Sequence, residues 1–179
     1  VIDFGLAALT DVESDLTGLA IDGVAPIRKT AGEALPFRLE RDSRDGGVTL
    51  RVGAGRLFGL AFEHKRERDV ARLVRGVVAI NEPPNLPDSG LRVQVAAPRF
   101  DTEAWAQWLG IDLHAAPAPA WPASSDEGFR VDYFALRTPE LVVERRVFHN
   151  VTLGASRTDA GGFDANVVSD GVVGYIGWR

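Results

Sequence analysis

The histidines His64, His114 and His149 are the chain's only imidazoles, and no two lie within i+3 to i+5 of each other. A compact zinc site draws on that spacing, so only ligands gathered from distant strands would make one, and no metal is expected. His149, between Val147 and Val151 at strand spacing, is expected as a hydrogen-bonded strand residue rather than a ligand. Cysteine is absent, which removes disulfides, thiolate nucleophiles and Cys-based zinc sites together. Carboxylates are plentiful, among them Asp11, Glu13, Asp15, Asp126 and Glu127, but they cluster in turns and on polar strand faces, as solvated edges do. Spacing singles out no glycosidase pair among them. No GxSxG elbow, Walker loop or dinucleotide fingerprint occurs. "GAGRLFG" sits between two strand patterns without the following helix that phosphate binding uses, and reads as a hairpin turn. The run "HKRERDVARLVRG" offers Lys65, Arg66, Arg68 and Arg72 to anionic headgroups, although a solvated hairpin tip is the commoner meaning of such a run. These residues predict neither catalysis nor a cofactor.

The elements that would position them are mostly strands. Apolar residues alternate with polar or small ones at Phe58, Leu60, Phe62; at Leu91, Val93, Val95; at Phe129, Val131, Tyr133; and at Val147, Val151, Leu153. Turn signals separate the runs at short intervals: Asp45-Gly46-Gly47, Ala54-Gly55, Asp159-Ala160-Gly161-Gly162 and Ser169-Asp170-Gly171. Such spacing predicts hairpins, and therefore antiparallel pairing rather than crossovers, with about ten strands in all. One segment, "FDTEAWAQWLG", predicts a short helix near 101–109. Asp101 caps it, Glu103 complements its positive end, Gly110 stops it, and Trp105 and Trp108 are expected to lie on a sheet. Pro117, Pro119 and Pro122 then make an extended connector. The chain divides into a first sheet segment, 1–100, a helix plus connector, 101–125, and a second hairpin segment, 126–179, with about seven strands before the connector and about four after it. These segments form one continuous groove or two packed sub-domains.

The 179 residues, 45% hydrophobic and 25% charged, suit an ordinary folded chain able to bury a core. A net charge of −5 gives no footprint for nucleic acid. No run approaches the ~18 apolar residues that cross a bilayer, and no signal peptide opens the chain. The start at Val1 and the lack of methionine are expected of a piece of something longer.

One helix about 15 Å long covers little of a sheet about 45 Å wide. Two readings of the apolar face therefore stand: a closed sandwich or barrel, serving as a structural or partner-binding module, or an open, curled sheet whose floor is left for a lipid.

The stretch "SDLTGLAIDGVAPIRKTAGEALPFRLE" resembles a motif of the YhdP family of AsmA-like proteins. Ser14, Asp15, Leu16, Gly18, Leu19, Ile21, Pro26, Ile27, Lys29, Pro36, Phe37 and Leu39 fall on it. "VRGVVAINEPPNLPDSGLRVQVAAPRFDTEAWAQWL" and "ALRTPELVVERRVFHNVTLGASRTDAGGFDANVVSDGVVGYIGW" are similar to later family segments in the expected order. Where the family turn usually reads Leu-Pro-x-Pro, Gly23-Val24-Ala25-Pro26 stands here, which predicts a looser turn. The resemblance implies a mainly β, curled and twisted antiparallel sheet with an open groove. It also implies a periplasmic segment of an inner-membrane-anchored Gram-negative protein that carries phospholipid between the membranes and supports the outer-membrane permeability barrier. Acyl chains would be the partner, other envelope proteins are candidate contacts, and no enzyme activity is implied. On that reading the groove floor is Phe58, Leu60, Phe62, Leu91, Val93, Val95, Val131, Val151 and Leu153. The expected start of the stretch is a strand holding Leu16, Leu19 and Ile21, stopped by Pro26 and resumed after Pro36.

Overall fold

A computed structural model describes residues 8–44, 46–67, 70–112, 130–159 and 161–178. Arg68, His114, the connector with Pro117, Pro119 and Pro122, Asp126, Glu127 and Phe129 lie outside the described residues, as do Asp45 and Ala160 of two expected turns.

Among the described residues the chain forms eleven strands and one helix. They are β1 (Ala8–Ser14), β2 (Phe37–Arg44), β3 (Gly47–Ala54), β4 (Phe58–Glu67), β5 (Val70–Ile80), β6 (Gly90–Ala96), β7 (Phe100–Asp101), α1 (Thr102–Leu109), β8 (Val131–Val143), β9 (Arg146–Arg157), β10 (Phe163–Val168) and β11 (Val173–Trp178). All join one open sheet in the order β1-β2-β3-β4-β5-β6-β8-β9-β10-β11, with β7 also on β8. The alternation of β-branched and aromatic residues between Gly-rich turns accounts for β1 to β5 and β8 to β11, which are antiparallel hairpin neighbours.

The centre departs from hairpin pairing, because β5 with β6, β6 with β8 and β7 with β8 are parallel. The cause is two crossovers. The segment 81–89 carries Pro83, Pro84 and Pro87, which have no N–H for a ladder, so it lies across the sheet instead of pairing. Gln94 Nε2 donates to its Pro83 carbonyl (2.6 Å), and a Cβ on Gly59 would meet the Pro84 ring. After β6, Pro98 interrupts the strand; Ala97 N still donates to Arg137 O, and Phe100 resumes pairing along the same edge of β8.

α1 begins and ends as its sequence dictates. Asp101 Oδ1 accepts from the Glu103 and Ala104 amides, and Gly110 closes the helix in the left-handed region (φ 68°). Its buried side chains are Trp105 and Ala106. Trp108 does not lie on the sheet: it stands edge-on to Trp105 (5.8 Å, 88°) and is 43% exposed, because one residue of so short a helix, Trp105, already fills the contact.

Side-chain parity changes at two places. A register shift between Leu91 and Arg92 turns Phe134 rather than Tyr133 toward Val131's face, and Tyr133 packs with Arg92 on the other (5.6 Å). Farther along the β8–β9 pair, Asn150 takes φ 55° opposite Pro139, and both strands change face together. Phe148 and Leu141 therefore join Val151 in the core, whereas Val147, expected there, is exposed.

The first strand lies upstream of its expected place. β1 ends at Ser14, and Leu16, Leu19 and Ile21 belong to a compact loop, with Ile21 bridging only to Lys29. The predicted resumption after Pro36 is where β2 starts.

Candidate functional site

Paired residues in a ladder point to the same side, so the registers sort every strand residue onto one of two faces. The inner face holds an unbroken apolar row that crosses ten strands: Val12, Leu39, Val52, Leu60, Val78, Val93, Phe134, Ala155, Ala165, Ile176. At ~4.8 Å per strand it is about 43 Å long. A flanking row runs Phe37, Ala54, Phe58, Ile80, Val95, Leu136, Leu153, Val167, and another runs Leu50, Phe62, Gly76, Leu91, Val131. Gly76 is part of the design, since a Cβ there would stand 2.5 Å from the Phe62 ring.

Every residue expected on the groove floor lies on this face. Leu60 and Val93 are in the long row, Phe58, Val95 and Leu153 in the second, and Phe62, Leu91 and Val131 in the third, with Val151 beside Thr138 one step beyond. Their exposure divides them. Phe62, Leu91, Val95, Val131 and Val151 are buried, Val151 being 1% exposed, while Phe58, Leu60, Val93 and Leu153 are half-buried. Sequence reasoning missed Val78, Ile80, Phe134 and Leu136 on the same rows. The alternation of "VVAI" contained Val78 and Ile80, but only the register shift in β8 reveals Phe134.

The cover comes from two pieces at one end of the strands. Trp105 stacks on Phe100 (5.0 Å, 14°) and joins Ile80, Val95, Leu136, Leu141 and Val151 in one buried cluster. Val24 and Ile27 of the β1–β2 loop pack against that cluster as well. This loop is built around Lys29, which is 4% exposed and whose Nζ donates to the carbonyl oxygens of Leu16 (2.9 Å), Leu19 (2.7 Å) and Thr30 (3.1 Å). The amide and hydroxyl of Thr17 hold the Asp15 carboxyl below the usual carboxylate range at the loop's entry. The turn is tight rather than loose: Ile27 N donates to Val24 O (2.6 Å), and a Cβ on Gly23 would fall 2.0 Å from the Ile27 carbonyl oxygen.

The outer face carries the ion pairs of β1 to β5, and beside the 81–89 crossover it also buries Ala61, Val77 and Ala79. Arg38 reaches Asp11 (2.9 Å), Glu13 (3.6 Å) and Glu40 (2.7 Å), and Arg75 donates to both oxygens of Glu63 (2.8 and 3.1 Å). The Arg75 hydrogen bond holds the Glu63 carboxyl below its ordinary range. A carboxyl lowered on folding stabilises the protein above its unfolded pKa, near 4.3, and that contribution is lost as pH falls through the folded value. Glu63→Gln is therefore expected to flatten the decline of the urea midpoint between about pH 5 and pH 3.

Among the described residues no group of three His, Cys, Asp or Glu side chains is placed to hold a metal ion, and no helix is long and apolar enough to cross a membrane. His64 and His149 sit on β4 and β9, and His149 is exposed. What the geometry presents is a two-faced sheet with one continuous apolar floor.

No curated protein and no solved structure matches the chain significantly. A protein-family model, described as YhdP protein, matches residues 6–179, nearly the whole length. The motif around Lys29, the strand series and the open sheet agree with that match, and the chain belongs to the YhdP family.

Proposed function

We propose that this chain is part of a periplasmic conduit in which phospholipid acyl chains lie along the inner face and pass between the inner and outer membranes of a Gram-negative envelope. The parent protein on this reading is anchored in the inner membrane, and the process is transport, with no bond made or broken. The observation that carries the reading is the apolar row from Val12 to Ile176, uninterrupted by a polar side chain across ten strands, backed by a salt-bridged outer face. Each acyl methylene withdrawn from water onto such a floor contributes ~0.8 kcal/mol. Half-buried Phe58, Leu60, Val93 and Leu153 are the accessible floor, Val95 and Val151 are buried at the covered end, and Phe62, Leu91 and Val131 form a second buried cluster toward the opposite end.

Photo-crosslinking in cells tests the reading. A photoreactive residue at Leu60 or Val93 of the full-length protein is expected to give lipid adducts well above one at Arg72, which pairs with Lys65 on the outer face. Equal yields at all three positions would sink it.

The near-complete burial of Val95 and Val151 favours a second reading, a closed structural core. Polar substitution separates the two. Val95→Asn is expected to cost about 2–5 kcal/mol, since it strands an amide in the covered cluster, whereas Leu60→Asn on an open floor costs less than about 1.5 kcal/mol. Equal losses in the two variants would favour the closed core.

A further inference from the structure

The inner face carries most of its charge at one end. Among strand residues whose register places them there, none is Asp or Glu. Five are basic: Arg41, paired with Leu50; His64, paired with Val48; Arg66, paired with Ala71; Arg157, paired with Phe163; and Arg146, paired with Val143. They come from β2, β4 and β9, far apart in sequence and along the sheet. Yet Arg41, His64, Arg66 and Arg157 stand toward the strand ends opposite α1 and the Lys29 loop, and only Arg146 stands at the other end. The β4–β5 hairpin continues at this end with exposed Lys65 and Arg66. Arg157 is unusual in its surroundings. Its guanidinium lies over the Phe163 ring (5.5 Å), and its Nε is buried without a hydrogen-bond partner among the described residues. A buried cationic donor in that state favours an acceptor oxygen arriving from outside the chain.

We propose that this end of the strands is the headgroup lip of the apolar floor, where net-anionic phospholipids set their phosphodiesters against Arg41 and His64 at one place and against Arg157 at another while their acyl chains run toward Leu60 and Val93. The inference rests on the lipid-conduit reading above and adds the headgroup class and its side. Charge complementarity selects this occupant. A zwitterionic headgroup brings an ammonium to a lip that has no carboxylate on its face, whereas a headgroup with net negative charge brings none. Arginine suits a phosphodiester because its planar fork donates twice, and its delocalised charge still packs on an aromatic ring.

The test exposes the full-length protein to vesicles of equimolar phosphatidylglycerol and phosphatidylethanolamine, re-isolates it, and measures the bound phospholipids by mass spectrometry. The unaltered protein is expected to enrich phosphatidylglycerol. The Arg41→Gln/Arg157→Gln variant should lose about fivefold of that enrichment per cation removed, with total bound lipid unchanged. Arg41→Lys/Arg157→Lys should keep most of it, and raising salt to about 0.5 M should erode it in the unaltered protein even if the glutamine pair folds poorly. Lipid bound with the same composition in all variants and at all salt concentrations would overturn the headgroup lip while leaving the conduit intact. Absence of bound lipid from the unaltered protein would overturn both.

Discussion

Trp105→Ala is expected to lower the stability of the protein by about 3–5 kcal/mol, read as a fall in the urea midpoint at unchanged slope. The indole is buried, stacks on Phe100 and completes the cluster of Ile80, Val95, Leu136, Leu141 and Val151, so its removal leaves a cavity between α1 and the sheet. Trp105→Phe should recover most of the loss. It keeps the ring on Phe100 and removes the indole Nε1, which is buried with no hydrogen-bond partner among the described residues. Trp108→Ala, three residues on, should cost less than about 1 kcal/mol because that ring is 43% exposed and packs only edge-on against Trp105. Similar losses for the two alanine variants would mean that α1 lies on the sheet through both rings.

Lys29→Met is expected to release the β1–β2 loop without unfolding the sheet. The methionine fills the same channel but leaves the Leu16, Leu19 and Thr30 carbonyls without the donor they share, at about 1–3 kcal/mol for each one left dry. The loop escapes that cost by opening, so the loss appears locally rather than globally. The amides of Gly18, Ile21 and Lys29, bonded to Ala31 O, Lys29 O and Ile21 O, should then exchange with deuterium at least about 100-fold faster, while the β8–β9 amides keep their protection. Lys29→Arg should not rescue it. A planar guanidinium aims its donors in one plane, whereas the ammonium aims three in different directions. Unchanged exchange in the loop would show that Val24 and Ile27, rather than Lys29, hold it down.

Much of the sheet was legible because strand signals are local. Alternation located β4, β6 and β9, and the turn residues located the hairpins between β2, β3 and β4 and between β9, β10 and β11. Among the described residues seven strands precede the connector and four follow it. The capping residues of α1 were equally readable, since Asp101 and Gly110 act on their own neighbours. What failed depended on partners elsewhere in the chain. Parallel pairing at β6 follows from where the 81–89 crossover lies, and no residue within β6 announces it. Tyr133 and Val147 were assigned by a strict period of two, which the register shift at Leu91/Arg92 and the left-handed Asn150 each reset.

The floor was legible for the same reason that the strands were: Phe58, Leu60 and Phe62 share a face by parity alone. Their exposure was not. Whether Val95 or Leu60 is covered depends on Trp105, Val24 and Ile27 arriving from distant segments. The stretch from Ser14 to Leu39 was the most specific in sequence, yet it read as a broken strand pair. Nothing in a string of residues shows that Lys29 Nζ will turn inward and collect three carbonyls from its own loop. Arg41, His64 and Arg157 likewise fall toward one end of the inner face only once three registers have been aligned.

The order of strands in the sheet repeats their order in the chain, with β7 alone set aside. Such a sheet needs no late closure between remote ends. Each new strand finds its partner in the one made just before it, or across a single crossover, so loop-closure entropy stays small at every step. Folding can then advance vectorially, strand upon strand, as the polypeptide emerges. Its growing edge is always the newest strand, and β11, with Val173 80% exposed and Tyr175 and Ile176 also in solvent, has the look of such an edge. A ribosome or translocon delivering this chain from its amino terminus would thus deliver the strands in the sequence in which they zip.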